Sequence, residues 1–210
     1  MMDEVIEQKS SWPTLFKNPT LYFSTRRPKL GFVWLAVALS VVSALMEAVV
    51  YPYILRSPIY VQLFSKMSHQ EVLAAKTIFP ISTIVGGVIA PWISLVILGF
   101  FYWIITKVFG YTITYRNAVA LGTYVALFQL IGTLFSTLAT VITGTYIASL
   151  LSLSTIIPSS GSVASVLSRI SVFDIWSVVI VTIGLSVYTG ASKNKTMWIG
   201  VLVWIISMFI

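Results

Sequence analysis

The last 39 residues of the chain, Val172–Ile210, read VFDIWSVVIVTIGLSVYTGASKNKTMWIGVLVWIISMFI and decide the fold class. An apolar run, Val172–Tyr188, is followed by a polar turn, Thr189–Lys195, and then by a second apolar run, Met197–Ile210. The first run is close to the roughly 18–20 residues that a helix needs to cross the hydrocarbon layer of a bilayer. The pattern therefore predicts a helical hairpin in a membrane, with two lysines in its turn.

The composition extends this interpretation to the whole chain. Hydrophobic residues make up 58% of the 210 residues and charged residues only 9%, whereas soluble domains carry about 25% charged residues. So few charged residues could not cover the surface of a water-soluble domain. We therefore predict an all-α fold, a polytopic integral membrane helical bundle with five transmembrane helices. The spans are expected at residues 31–53, 81–106, 117–142, 172–190 and 196–210, within a membrane domain of residues 30–210.

The fifth span is the shortest of the five. Met197–Ile210 has 14 residues, which cover about 22 Å of a hydrocarbon core roughly 30 Å thick. It can still cross where the bilayer thins locally or where the terminus stays buried in the bundle. The alternative is a bundle of four spans with a re-entrant tail.

Three segments outside the spans carry further expectations. Residues 1–29 mix aromatic side chains with cations, which is typical of a segment at the headgroup level, and a disordered tail is the alternative. Ser68 and Glu71 form a capping-box pattern that predicts a short helix, which Pro80 should separate from the next span. Tyr146–Ile157 is apolar but too short to cross, so we interpret it as interfacial or as a helix extension.

The cations are distributed unequally between the two predicted sides of the membrane. Residues 1–29, the loop 107–116 and the hairpin turn together carry nine lysines and arginines, and the other side carries four. The excess predicts a multi-pass protein of the cell membrane with a cytoplasmic amino terminus and an exterior carboxyl terminus. The cations flank apolar runs rather than form a stripe, so the net charge of +7 indicates contact with the lipid bilayer and not with nucleic acid.

Small residues recur at four-residue spacing in the predicted spans. Such stripes let membrane helices approach closely, because lipid supplies no hydrophobic drive for helix association. Packing within this chain is one interpretation, and a face that docks another integral membrane protein is the other. Outside the first span, the residues concerned are Gly86, Ala90 and Ser94 in the second, Gly132, Ser136, Thr140 and Gly144 in the third, and Thr182, Ser186 and Gly190 in the fourth.

Two acids are expected near the membrane, where ionisable groups are costly and therefore candidate functional residues. Glu47 lies 16 residues after Gly31, about 24 Å along the first span and toward its outer end. Asp174 lies at the start of the fourth span, where a carboxylate can cap the helix and oppose its dipole. Arg169 is a candidate ion partner for Asp174. Each acid can have a structural role or a functional one.

The sequence lacks the common catalytic, nucleotide-binding and metal-binding motifs. It has no cysteine, and it contains no HExxH motif, Walker-type loop, GxGxxG or GxSxG. The single histidine, His69, falls inside the capping-box pattern and has no nearby ligand pattern. We therefore predict neither enzymatic activity, nor a metal site, nor a cofactor.

The residues of the carboxyl-terminal hairpin resemble those of the Yip (Ypt/Rab-interacting protein) family. The resemblance rests on the segments 173–176, 183–186 and 189–190 together with the lysine-bearing turn. Further similar positions are Gly110-Tyr111, Tyr115-Arg116, the Gly122–Gly132 stretch and the amino-terminal pattern Trp12, Phe16, Pro19 and Phe23.

The resemblance implies five spans, a cytoplasmic amino terminus and an exterior carboxyl terminus, in agreement with the charge distribution. Eukaryotic members are scaffolds for small GTPases and use a long cytoplasmic head, but the predicted head here has only 29 residues, which favours a prokaryotic-type member. Some bacterial members resemble accessory subunits of macrolide-exporter-like ABC transporters that help to protect against toxins. The resulting hypothesis is a non-enzymatic membrane scaffold, and the alternative is a small transporter or permeation path.

Overall fold

The computed structural model describes residues 12–25, 31–148, 150–157, 161–168 and 170–208. Within these ranges the regular elements are helices, accompanied by an isolated bridge between Ser152 and Ser171. In chain order they are α1 (Trp12–Lys17), α2 (Pro19–Thr25), α3 (Gly31–Arg56), α4 (Pro58–Phe64), α5 (His69–Val108), α6 (Tyr115–Thr143), α7 (Leu153–Ile156), α8 (Gly161–Leu167), α9 (Val172–Thr189) and α10 (Lys193–Ser207).

The predicted all-α membrane bundle is confirmed, but the count of spans differs. By length and composition, four helices of the described chain could cross a membrane: α3, α5, α6 and α9. The predicted fifth span corresponds to α10, which has 15 residues and covers about 22 Å. It starts three residues before the predicted span, at Lys193, but its described part ends at Ser207, so it stays shorter than the roughly 20 residues that a spanning helix needs. It nevertheless packs on α9 and α5 and buries Thr196, Ile199, Gly200 and Val203.

The second span is part of a much longer helix than the sequence predicted. Helix α5 has 40 residues and is therefore about 60 Å long, roughly twice the hydrocarbon core. The capping box of Ser68 and Glu71 is confirmed, but it starts this same helix. Pro80 does not separate two helices, because the loss of one donor to the carbonyl of Lys76 is tolerated in a long helix whose neighbouring bonds remain. The first turns of α5 instead pack beside α4, where Phe79 contacts Tyr60 and Phe64.

The main bundle is formed by α3, α5, α6 and α9, with α6 in contact with each of the other three. Close approach of α5 and α6 depends on Gly99, since a Cβ at this position would lie 3.0 Å from the Cα of Val119. The core continues between α6 and α9, where Leu121, Ile180 and Leu185 are fully buried. Such close packing is what holds helices together when hydrophobic burial gains nothing over lipid.

One face of the segment 12–25 packs against the bundle, and the other face is exposed. Leu15 and Tyr22 are fully buried, and the ring of Phe23 lies 5.4 Å from that of Tyr124 and 5.7 Å from that of Tyr188. Residues 12–25 are therefore held against α6 and α9 by aromatic contacts, and their position at the headgroup level stays a prediction. The predicted boundary between residues 29 and 30 lies outside the described residues.

The segment after α6 folds back along the helix that it leaves. Gly144 ends α6 with a left-handed conformation, φ 70°, and the backbone N–H of Ile147 then donates to Thr140 Oγ1 at 3.0 Å. The N–H of Leu150 donates to Ser136 Oγ at 3.0 Å. Because Ser136 lies seven residues before Thr143, the segment returns about 10 Å along α6. It is therefore neither a helix extension nor a span.

Candidate functional site

An open groove of about 460 Å³ lies between α3, α5 and α6. Its volume falls within the range of small-molecule and cofactor sites, roughly 300–1,000 Å³. Unlike the lipid-facing surface, it is lined by polar as well as apolar side chains. The polar ones are Ser43, Glu47, Ser82, Thr83, Ser94, Gln129 and Thr133.

Two adjacent glycines of α5 shape this groove. A Cβ at Gly87 would lie 2.9 Å from the Cα of Ala44, so α3 and α5 are in backbone contact there. Gly86, one position earlier on the helix, has no neighbour within 4 Å of its own Cβ position and lines the groove. Ala90 and Ser94 follow on the same face and are exposed. The predicted stripe Gly86, Ala90 and Ser94 is therefore a face without a partner in the described chain.

Glu47 is the charged residue of the groove. It is half-buried on α3, and Ser43 lies one turn earlier on the same face. The residues that the structure describes make no hydrogen bond or salt bridge with the Glu47 carboxylate. Ionisable groups on spanning helices are costly, so Glu47 stays a candidate functional residue.

Two smaller cavities lie near the end of the bundle where α6 ends and α9 begins. A cavity of about 60 Å³ joins Glu47 to Tyr146 and Ser136, and one of about 180 Å³ reaches Asp174. Gln129 and Thr133 of α6 line both the large groove and the cavity that reaches Asp174. The two acids that the sequence singled out therefore line separate cavities, which share lining residues of α6.

The hydroxyl of Tyr146 lies close enough to Glu47 for the carboxylate charge to affect its pKa. Burial raises the pKa of the Tyr146 hydroxyl, and the negative charge of Glu47 raises that pKa further. Both effects favour the protonated hydroxyl, which can act as a hydrogen-bond donor. The loop after α6 therefore supplies a neutral donor group to the cavity that Tyr146 shares with Glu47.

Asp174 has a structural role in addition to lining a cavity. The N–H of Ser171 donates to Asp174 Oδ2 at 2.8 Å, and the N–H of Asp174 donates to Ser171 Oγ at 3.2 Å. This capping box satisfies donors at the start of α9, as the cap interpretation predicts. Arg169, the predicted ion partner, lies outside the described residues.

The other predicted stripes serve contacts within the chain. Gly132 makes room for Phe173, since a Cβ there would lie 2.7 Å from Phe173 Cδ2. Ser136, Thr140 and Gly144 hold the returning segment after α6, as described above. In α9, Ser186 Oγ donates to the carbonyl of Ala191 at 2.7 Å and Gly190 ends the helix with φ 69°. Thr182 lies against α10, near Gly200.

Several residues of the groove and the core were missed in the sequence. Gln129 and Thr133 lie in the middle of the predicted third span. Their polarity within an apolar run is the sequence signal that distinguishes them. Gly184 is the close-contact glycine of α9, beside Leu121 and Phe23. Nothing in the sequence shows whether Gly184 or Gly190 makes the close contact, because that depends on which face of α9 meets α6.

The fold and the groove together define a polytopic helical membrane protein with a cleft between α3, α5 and α6 that carries polar side chains. The chain matches the Yip1 domain family over residues 14–210 and belongs to that family. It is 29% identical over 217 residues to the "Membrane protein YknW" of Bacillus subtilis (strain 168), across 96% of this chain and 91% of the relative. No solved structure matches the chain. The resemblance to a prokaryotic-type Yip member is thus confirmed.

Proposed function

We propose that this protein is a non-enzymatic membrane scaffold that binds another integral membrane protein through the α3–α5–α6 groove. The observation that carries this proposal is the exposed face of Gly86, Ala90 and Ser94 next to the Glu47 carboxylate. Small residues let a partner helix approach the backbone of α5 closely, and interhelical hydrogen bonds add to such contacts in lipid. Glu47 and Gln129 supply the polar groups for them.

The partner class that we propose is the permease of a macrolide-exporter-like ABC transporter, with this protein as an accessory subunit in toxin protection. This follows from the resemblance to bacterial Yip members, and the relative's printed name adds only that it is a membrane protein. In this proposal the amino terminus and the hairpin turn are cytoplasmic, as the distribution of cations favours, and α10 crosses a locally thinned bilayer so that the carboxyl terminus is exterior.

Affinity purification of the tagged full-length protein in mild detergent, followed by mass spectrometry, tests this function. We expect a stoichiometric membrane partner with the wild type and its loss with Ala90→Trp, which fills the groove. Val41→Trp is the matched control, because Val41 is an exposed residue of α3 that does not line the groove. Recovery of the chain alone, or equal recovery of the partner with both variants, contradicts docking at this groove.

A small transporter is the second candidate function, and the neighbouring cavities that hold Glu47 and Asp174 support it. Transporters place ionisable groups along the route of the substrate. Glu47→Gln should then abolish flux in reconstituted vesicles while the protein still elutes as a folded species from gel filtration. Asp174→Asn should also reduce flux. An unchanged flux in Glu47→Gln, or no flux with the wild type, argues against transport.

A further inference from the structure

A second groove of about 460 Å³ lies on the other side of the bundle, between α9 and α10. Its lining is apolar, with Ile175 and Val179 from α9 and Met197 and Trp204 from α10. Only two of its lining residues are polar, Thr182 and Lys193. The hydroxyl of Thr182 is buried and has no hydrogen-bond partner in the described part of the chain. This groove therefore differs in chemistry from the polar groove between α3, α5 and α6.

The second groove extends along most of α10. Lys193 and Trp204 are eleven residues apart on this helix, which corresponds to about 16 Å. Its lining also includes Ile175, in the first turn of α9. An extended acyl chain that enters beside Lys193 would therefore run along α10 toward the start of α9.

Positive charge is concentrated at the Lys193 end of this groove. The first turn of α10 contains Lys193 and Lys195 and no acidic residue, and Ser192 makes no side-chain capping bond. Lysines in the first turn add to the positive end of the helix dipole instead of compensating it, which attracts an anion. The Nζ of Lys195 lies 5.8 Å from the ring centroid of Tyr111, so this lysine is also near the α5–α6 connection. Lys193 is the lysine that lines the groove.

We propose that the α9–α10 groove binds one anionic phospholipid, with its phosphate at Lys193 and one acyl chain along the groove. The charge at one end and the apolar lining beyond it match the two parts of such a lipid. A partner helix fits less well, because Met197, Ile175 and Trp204 are large and hold a second backbone away from α9 and α10. The lipid site is independent of the scaffold function, since the two grooves share no lining residue.

Native mass spectrometry of the full-length protein in mild detergent tests the lipid site. Dioleoyl phosphatidylglycerol, dioleoyl phosphatidylcholine and sodium phosphate are added separately to the same preparation. We expect one retained phosphatidylglycerol per chain, little phosphatidylcholine and no phosphate adduct. Lys193→Gln should weaken phosphatidylglycerol binding about fivefold, which corresponds to roughly 1 kcal/mol for one lysine at the lipid surface.

Three further variants distinguish recognition of the headgroup from binding of the acyl chain. Val179→Trp should fill the groove and remove the retained lipid, and Val41→Trp on α3 should not. Lys66→Gln is the matched control for charge, because Lys66 is exposed and lies before α5. Equal retention of both lipids by the wild type overturns the proposal without any variant. An unchanged phosphatidylglycerol adduct in Lys193→Gln and Val179→Trp overturns it as well, and retention of phosphate alone indicates an anion site without a lipid.

Discussion

Gly87 of α5 lies directly against Ala44 of α3. A Cβ at Gly87 would be 2.9 Å from the Cα of Ala44 and 3.2 Å from its backbone nitrogen. These neighbours are backbone atoms, so no change of rotamer could make room for an added methyl group. The contact therefore sets the distance between α3 and α5, and it turns the adjacent Gly86 toward the open groove.

The two glycines should consequently respond in opposite ways to alanine. Gly87→Ala should lower the free energy of unfolding by about 1–3 kcal/mol, the usual cost of overpacking. Gly86→Ala should be neutral or stabilising by up to about 1 kcal/mol, because alanine is the better helix former and nothing opposes its Cβ. Thermal unfolding in mild detergent measures both. A loss of stability in Gly86→Ala that equals the loss in Gly87→Ala would contradict the close contact at Gly87.

The hairpin and the main helices could be predicted because they depend on local sequence. A run of apolar residues needs a spanning helix in lipid, and the capping boxes at Ser68 and Ser171 need only four consecutive residues. The roles of Gly86 and Gly87 could not be predicted, since they depend on the rotation of α5 relative to α3. Packing of Phe23 against Tyr124 and Tyr188 could not be predicted either, because it joins residues from three distant parts of the chain.

The two serine N-caps of the hairpin offer a matched pair of variants. Ser171 accepts a hydrogen bond from the N–H of Asp174 and Ser192 makes no such side-chain bond in α10. Ser171→Ala should therefore cost about 1 kcal/mol of stability, whereas Ser192→Ala should change it by only a few tenths of that amount. Thermal unfolding of both variants under the same conditions measures the two changes in stability. Equal effects of the two substitutions would show that the cap on α9 adds no stability.

The packing of α2 can be tested at Phe23, which is only 2% exposed. Phe23→Ala removes ring contacts with Tyr22, Tyr124 and Tyr188, and we expect a loss of about 3 kcal/mol or more. Leu45→Ala is the control, because Leu45 is 62% exposed on α3 and its replacement exchanges one lipid contact for another. If Phe23→Ala melts like the wild type, the segment 12–25 does not stabilise the bundle.

Access of water to the α3–α5–α6 groove can be measured with single cysteines, since the natural chain has none. Gln129→Cys and Thr133→Cys should react with a charged methanethiosulfonate reagent, because both residues are exposed to the polar groove. Leu138→Cys, which is exposed on α6 but does not line the groove, should react much more slowly because lipid contains almost no thiolate. Similar rates at positions 133 and 138 would mean that the groove is filled by lipid rather than by water.

The orientation of the hairpin gives the last prediction. Asn194→Cys lies in the first turn of α10, and Ser65→Cys lies between α4 and α5; both parent residues are exposed. The excess of lysine and arginine on the side of the hairpin turn predicts that position 194 is cytoplasmic and position 65 is exterior. A membrane-impermeant maleimide should therefore label position 65 in intact cells and position 194 only after permeabilisation. The opposite labelling would invert the topology, and labelling of both positions in intact cells would show that α9 ends on the exterior side together with the α4–α5 connection.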